Sequence, residues 1–393
     1  MSNPVEHIRR YQTELSAFRR DIHAHPELAF QESRTSDRVA EQLERWGIEV
    51  HRGLATTGLV GVIPGRRSAP RAVGLRADMD CLPMHETAER PHKSRNAGRM
   101  HACGHDGHTT MLLGAARYLS ETRNFAGTAY VIFQPAEEHG GGGNVMVQEG
   151  LFERFPANEV YALHNWPGLP AGQIGVRAGP VLAATDEIRI DVRGRGGHAA
   201  MPHLSVDPVV VTAHIITALQ TIASRNVNPL DAIVVSLCSM ETSQLGAFNV
   251  IPDAVTLIGT VRTFRSTTQE LAEQRIREIA TSVAAALGGS AELEYIRGYP
   301  ATVNTPREAE FAAHVAARIF GQDNVVREFD PTMGGEDFAY MLQAKPGAYL
   351  LLGQGGGPSS CYLHNPGYDF NDEVIPLGAG YLAALAEDAL PLA

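Results

Sequence analysis

The order of the apolar segments restricts the fold of this 393-residue chain more than any other feature. Short apolar runs bounded by turn residues appear at 59–63, 72–77, 128–133, 160–163 and 349–352, with helical stretches such as 109–119 interleaved. Ahead of them the spacing predicts a helix over 5–25, stopped by Pro26. A second helix is predicted over 33–46, with Val39, Leu43 and Trp46 on one stripe and Gly47 as its stop. Strands alternating with helices imply an α/β domain whose sheet is mostly parallel, with helices on both faces.

The middle of the chain is patterned differently. A strand-like run at 187–192 precedes a helix carrying Val209, Ala213 and Ile216, followed by strands at 233–237 and 255–261. A second helix starts at Thr267 with Glu270 three residues on, the spacing of a capping box, and a last strand covers 291–295. That βαββαβ order suits a ferredoxin-like, split-βαβ unit of about 120 residues. The α/β pattern resumes after it. Residues 1–183 and 303–393 are therefore expected to form one discontinuous domain, with 184–302 inserted in it.

Composition narrows the function classes. Hydrophobic residues make up 44% and charged residues 20%, which leaves no room for a largely disordered chain. With 33 basic against 44 acidic residues the net charge is −11, which repels phosphate backbones and anionic membranes, so nucleic-acid and membrane partners are not expected. The first residues lack a secretory pattern and no apolar stretch is long enough to span a bilayer, so a cytoplasmic protein is expected. Cys81, Cys103, Cys238 and Cys361 are far apart, which argues against a disulfide framework or a zinc ribbon.

The densest chemistry lies at 101–108, where three imidazoles, a thiol and a carboxylate fall within eight residues just before an apolar helical run. Packing alone explains such crowding poorly, because thiolate and imidazole together are what zinc-like ions prefer. Glu137 and Glu138 follow the 128–133 strand. Adjacent side chains there point in different directions, so one carboxylate can face a metal and the other the substrate water. His164 ends a further strand and His364 follows the last one, and open α/β sheets bind ligands beyond the carboxyl ends of their strands. The glycine run 140–143 lacks the ending of a phosphate loop and reads as a flexible turn. A competing reading makes Cys103 a nucleophile paired with His105 or His164, although it leaves the Glu-Glu pair unused.

Six segments, 21–27 (DIHAHPE), 76–83 (RADMDCLP), 101–108 (HACGHDGH), 133–138 (FQPAEE), 194–203 (GRGGHAAMPH) and 334–338 (GGEDF), resemble the metallo-aminoacylase and amidohydrolase family. The branch they are most similar to holds hippurate hydrolases, indole-acetyl amino-acid hydrolases and N-acetyl-diaminopimelate deacetylases. The resemblance implies a zinc-exopeptidase-like catalytic domain and an inserted lid that also forms a homodimer. It implies metal-dependent hydrolysis of N-acyl amino acids, dipeptidase or carboxypeptidase activity on the same fold being the alternative. It further implies that Cys103, His105, Glu138, His164 and His364 bind one or two divalent ions and that Glu137 is the general base. His198 would reach an active site, its own or the partner subunit's, and Asn249 and Arg262 would hold the substrate carboxylate or oxyanion. On sequence alone these three read as a turn histidine, a turn former and a surface charge. In the wider superfamily a His-x-Asp stands where this chain has Asp78-Met79-Asp80, which leaves Cys103 as a compensating ligand. A thiolate favours zinc, while histidine and carboxylate also suit manganese, nickel or cobalt. Within 101–108, His105 and Cys103 are the expected ligands, with His101 and His108 left to support or helix capping.

Overall fold

A computed structural model describes residues 3–244, 246–355 and 361–392. The chain forms two compact units. One comprises the residues up to Val181, Thr302–Asp330 and those from Asp337 on, and the other comprises Leu182–Ala301 and Pro331–Glu336. The segment Pro331–Glu336, assigned to the larger domain from sequence, joins the smaller unit through backbone contacts. Leu182 bridges Thr332, and the Ala183 N–H donates to the Gly334 carbonyl at 2.9 Å.

The larger unit carries an eight-stranded sheet. Its order is Glu49–Leu54, Gly58–Pro64, Ala126–Gln134, Arg67–Asp78, Glu159–Trp166, Gly347–Gly353, Ile174–Gly175 and Val325–Val326. The four central strands, from Ala126–Gln134 to Gly347–Gly353, are mutually parallel, while the flanking pairs on both sides include antiparallel ones. These central strands read as continuous apolar runs because helices cover both faces. Glu49–Leu54 lies at the sheet edge and is largely solvated, so its sequence carries no apolar run to announce it.

Helix His105–Thr122 packs against Gln12–Ala24 and Ile375–Ala389. The approach is close: a Cβ on Gly378 would lie 2.1 Å from Met111 Sδ. The helix predicted over 5–25 is two helices, Pro4–Arg9 and Gln12–Ala24. Tyr11 breaks it. Its N–H donates to the Ile8 carbonyl at 2.8 Å, its hydroxyl donates to Glu121, and Arg117 stacks 3.6 Å from its ring centre.

A buried ionic network ties these elements together. Arg19 donates to Asp372 at 2.7 Å, Asp369 at 2.9 Å and Asp106 at 3.4 Å, and His23 Nδ1 donates to Asp106 at 2.8 Å. Burial disfavours the His23 charge, but hydrogen bonds to Asp106 and Glu86 prevail and push its pKa up to about 9. The sign of the linkage follows. A group raised in the folded state gives stability that is complete below its unfolded pKa of about 6.5 and is lost as pH rises through the folded value. Thermal melts from pH 6 to 10 should therefore show His23 losing a contribution on the order of 3 kcal/mol between about pH 6.5 and 9. His23→Gln should flatten that slope. An equally steep slope in the variant would place the titration elsewhere.

The smaller unit has a four-stranded antiparallel sheet in the order Ile233–Thr242, Ala254–Thr263, Ala184–Arg193, Ser290–Arg297. With helices Pro208–Leu219 and Ser266–Ala286 this is the ferredoxin-like βαββαβ arrangement. Ile188, Ile190 and Val192 alternate inward onto the helices, while Glu187, Arg189 and Arg193 face water. The second helix begins at Ser266 with Arg265 as its N-cap and no side-chain cap bond, so the capping box expected at Thr267 does not form. Thr267 is already helical, leaving no free end there to cap.

Candidate metal centre

The four central parallel strands deliver the site to one edge of the sheet. Asp78 ends Arg67–Asp78, Glu137 and Glu138 follow Ala126–Gln134, His164 sits near the end of Glu159–Trp166, and His364 follows Gly347–Gly353. Cys103 and His105 lie at the start of helix His105–Thr122. Its N-cap, Gly104, has φ +99°, and a Cβ there would sit 2.2 Å from Asn165 Oδ1, so glycine is required on both counts. Two non-glycine residues of the site also take left-handed backbone. Ala136 (φ +56°) precedes the glutamate pair, and His364 (φ +61°) is tied to the cysteine segment by its N–H donating to the Ala102 carbonyl at 2.8 Å.

The donor atoms converge. Cys103 Sγ lies 3.3 Å from His164 Nε2, and His364 Nε2 lies 3.4 Å from Glu138 Oε1. His105 Nε2 lies 3.9 Å from both Glu137 Oε2 and Glu138 Oε1 and 3.8 Å from Asp78 Oδ2. His164 Nδ1 donates to the Asn165 carbonyl at 2.7 Å, which leaves its Nε2 lone pair facing the thiol. Likewise His105 Nδ1 donates to Asp80 at 3.2 Å, and its Nε2 is buried without a hydrogen-bond partner, as is Glu138 Oε1. Buried atoms of this kind normally have partners. Ligands around one tetrahedral ion with bonds of roughly 2.1 Å stand about 3.4 Å apart, so this spacing and the mix of thiol, imidazole and carboxylate fit a divalent metal.

The electrostatics agree with that fit. Burial disfavours a charge on His105, yet Asp78, Asp80 and Glu138 push its pKa up to about 10, so the pocket attracts positive charge. Burial opposes ionisation of Glu138 too, but His364 and His105 hold it below the usual carboxylate range. Burial pushes His164 the other way, well below its ordinary value, and it stays neutral as a ligand must.

Around this centre stands a set of supports that the sequence only partly reveals. Asp80 holds His105 with one oxygen and accepts the Glu138 N–H at 2.9 Å with the other. His108 Nδ1 donates to Asp78 at 2.6 Å while its Nε2 accepts the Asn165 N–H at 3.0 Å, so it supports from inside the helix rather than capping it. His101 does not cap either: both its ring nitrogens are buried without a hydrogen-bond partner. Arg76, Asp78, Gln134 and Asp337 form a further buried network at 2.7 to 3.0 Å, and Asp337 also accepts the Gly143 N–H. The glycine run is no loose turn: Gly141 caps helix Gly142–Gln148, and a Cβ on Gly142 would collide with the Pro135 carbonyl. Asp78 and Asp80 carry a sequence signal, two acids in alternate positions at a strand end, which by itself reads only as a departure from His-x-Asp.

Cys103, His105, Glu137, Glu138, His164 and His364 thus form overlapping donor groups whose ligand atoms lie within 4.8 Å of one another. His198, Asn249 and Arg262 belong to the smaller unit. There Gly197–His198 pairs with Val250–Ile251, which sets the exposed His198 and Asn249 side by side; the Ala199 N–H donates to the Asn249 carbonyl at 3.0 Å. His198 Nδ1 accepts the Ala200 N–H at 3.1 Å. Arg262, on strand Ala254–Thr263, donates to Thr260 at 3.0 Å and to the Met333 carbonyl at 3.4 Å.

Known proteins resemble this chain over most of its length. A hippurate hydrolase of Campylobacter jejuni is 39% identical over 98% of both chains. An IAA-amino acid hydrolase of Arabidopsis thaliana (ILR1-like 4) is 40% identical over 94% of this chain and 84% of its own. Among solved structures, the Bacillus subtilis YXEP protein, a dinuclear metal binding peptidase from the M20 family, superposes with a TM-score of 0.84 at 32% identity, covering 96% of this chain and 98% of its own. The match to the model of peptidase family M20/M25/M40 runs over residues 74–388, so the chain belongs to that family.

Proposed function

We propose that this protein hydrolyses the amide bond of N-acyl amino acids, releasing a carboxylic acid and a free amino acid, with a divalent metal held by Cys103, His105, Glu138, His164 and His364. The relatives named for hippurate and IAA-amino acid hydrolysis, alike over nearly the whole chain, support the substrate class. The observation that carries the chemistry is the buried, unpartnered His105 Nε2 with Glu137 and Glu138 both 3.9 Å away. One carboxylate of that pair serves the metal and leaves the other for proton transfer.

The bound ion would supply Lewis acidity toward the amide carbonyl and acidify a water molecule. Glu137 takes the proton of the attacking water and returns it to the departing amine. His198 stabilises the developing oxyanion, a contact of a kind whose loss typically costs about a hundred- to a thousandfold in rate. Arg262 and Asn249 hold the substrate carboxylate, Arg262 by a two-pronged pairing that selects acylated amino acids over simple amides. Zinc suits the cysteine ligand best, with manganese, nickel and cobalt the other ions to be tested.

Strand Ile233–Thr242 is paired on one side only among the described residues, an edge suited to a second copy, and a homodimer through the inserted unit is part of the proposal. No helix among the described residues is long and apolar enough to cross a membrane, and we place the enzyme in the cytoplasm. The test is a panel of benzoyl, acetyl and indole-acetyl amino acids beside dipeptides. Turnover of the acyl amino acids supports the proposal, whereas turnover of dipeptides alone would assign a peptidase.

One observation favours a second reading. The 3.3 Å contact between Cys103 and His164 has the reach of a thiol nucleophile and its base. That reading leaves the buried His105 Nε2 and the Glu138 carboxylate beside it without a purpose.

A further inference from the structure

The glutamate pair at the metal centre depends on a turn that its own strand cannot hold. Ala136 lies at φ +56°, a left-handed conformation that an L-residue keeps only when its surroundings impose it. The Ala136 N–H, buried and beyond the last strand residue, donates at 2.9 Å to Glu32 Oε1, from a segment more than a hundred residues earlier. Glu32 is fully buried. Its Oε1 also accepts the Phe30 N–H at 3.1 Å and its Oε2 accepts the Thr57 hydroxyl at 2.6 Å. The Phe30 ring fills the space beside Gly140, where a Cβ would sit 2.5 Å from it, and the Gly142 N–H closes the turn onto the Ala136 carbonyl at 3.0 Å. The 28–32 segment therefore grips the turn on both sides of the glutamate pair.

We infer that Glu32 is a positioning residue for catalysis, holding Ala136 in its left-handed turn so that Glu137 meets the attacking water. The inference rests on Glu137 being the proton carrier. None of these three donors to Glu32 is a cation. Burial pushes its pKa up to about 7. A buried acid kept under those conditions marks a position where a shorter or apolar side chain would leave the Ala136 N–H unbonded.

The experiment compares Glu32→Ala, Glu32→Gln and Glu32→Ala/Ala136→Gly by kcat, KM, bound metal and thermal unfolding on an acyl amino acid. Glu32→Ala is expected to lower kcat by about ten- to a hundredfold, with KM and metal content within about twofold of wild type. Glu32→Gln keeps an oxygen for the Ala136 N–H and should stay within about threefold of wild type in kcat. Glycine is at ease at positive φ, so Ala136→Gly should recover part of the loss in the double variant. Should Glu32→Ala fail to fold, Ala136→Val stresses the same turn without emptying the Glu32 site and should show the same selective loss of kcat. Wild-type kcat in Glu32→Ala, or equal losses of kcat, metal and melting temperature in the Ala and Gln variants, would overturn the inference. If Glu137→Gln itself retains turnover, it is the assignment of Glu137 that fails.

Discussion

Replacing Glu137 by glutamine is expected to lower kcat by about a thousandfold while the bound metal stays unchanged. Glutamine keeps the shape and one hydrogen-bonding oxygen but can neither accept the water proton nor hand it to the leaving amine. Both proton movements are lost together. Metal retention separates this role from that of Glu138, whose Oε1 faces His364 and His105. Glu138→Gln should weaken metal binding first and activity in consequence. Metal analysis beside steady-state kinetics checks both; near-normal turnover in Glu137→Gln with metal bound would contradict the assignment.

The second large effect is expected from His105→Ala. His105 belongs to three of the overlapping donor groups, joining Cys103 and His164, Asp78 and His108, and the two glutamates. Its removal opens all three at once and leaves Asp78 and Asp80, both buried, without the positive neighbour between them. Metal affinity should fall by more than about a hundredfold and activity should disappear at ordinary metal concentrations. Equilibrium dialysis followed by metal analysis gives the affinity directly. Retained stoichiometric metal would move the ligand role to Asp78, Asp80 and His108.

The contrast between these residues and Glu32 shows which parts of the site could be read from sequence. Glu137, Glu138, His164 and His364 follow or end strands and Cys103 and His105 open helix His105–Thr122, all in places where local pattern and the geometry of parallel sheets bring ligands together. Glu32, Asn165 and Asp337 act through space, holding a turn, a histidine or an arginine far away in the chain; of the three only Asp337 stands in a segment that the resemblance singles out, 334–338, and there without a role. The same limit explains the misread elements. The break at Tyr11 is made by Glu121 and Arg117, and Pro331–Glu336 joins the smaller unit through backbone pairing with Leu182 and Ala183. Periodicity reports the elements that bury apolar faces, so the solvated edge strand Glu49–Leu54 escaped it. The βαββαβ order of the insert was legible because its two central strands, Ala184–Arg193 and Ala254–Thr263, alternate over one covered face.

The decisive measurement is the rate of hydrolysis of the best N-acyl amino acid against the number of divalent ions bound per chain. The protein is first stripped with a chelator and then titrated with zinc, manganese, nickel or cobalt. Turnover should be absent from the stripped protein and rise in step with bound metal until the site is full, with Cys103 protected from alkylation once it is. Full turnover in the stripped protein, abolished by alkylating Cys103, would contradict a metal-dependent hydrolase and assign the reaction to the cysteine.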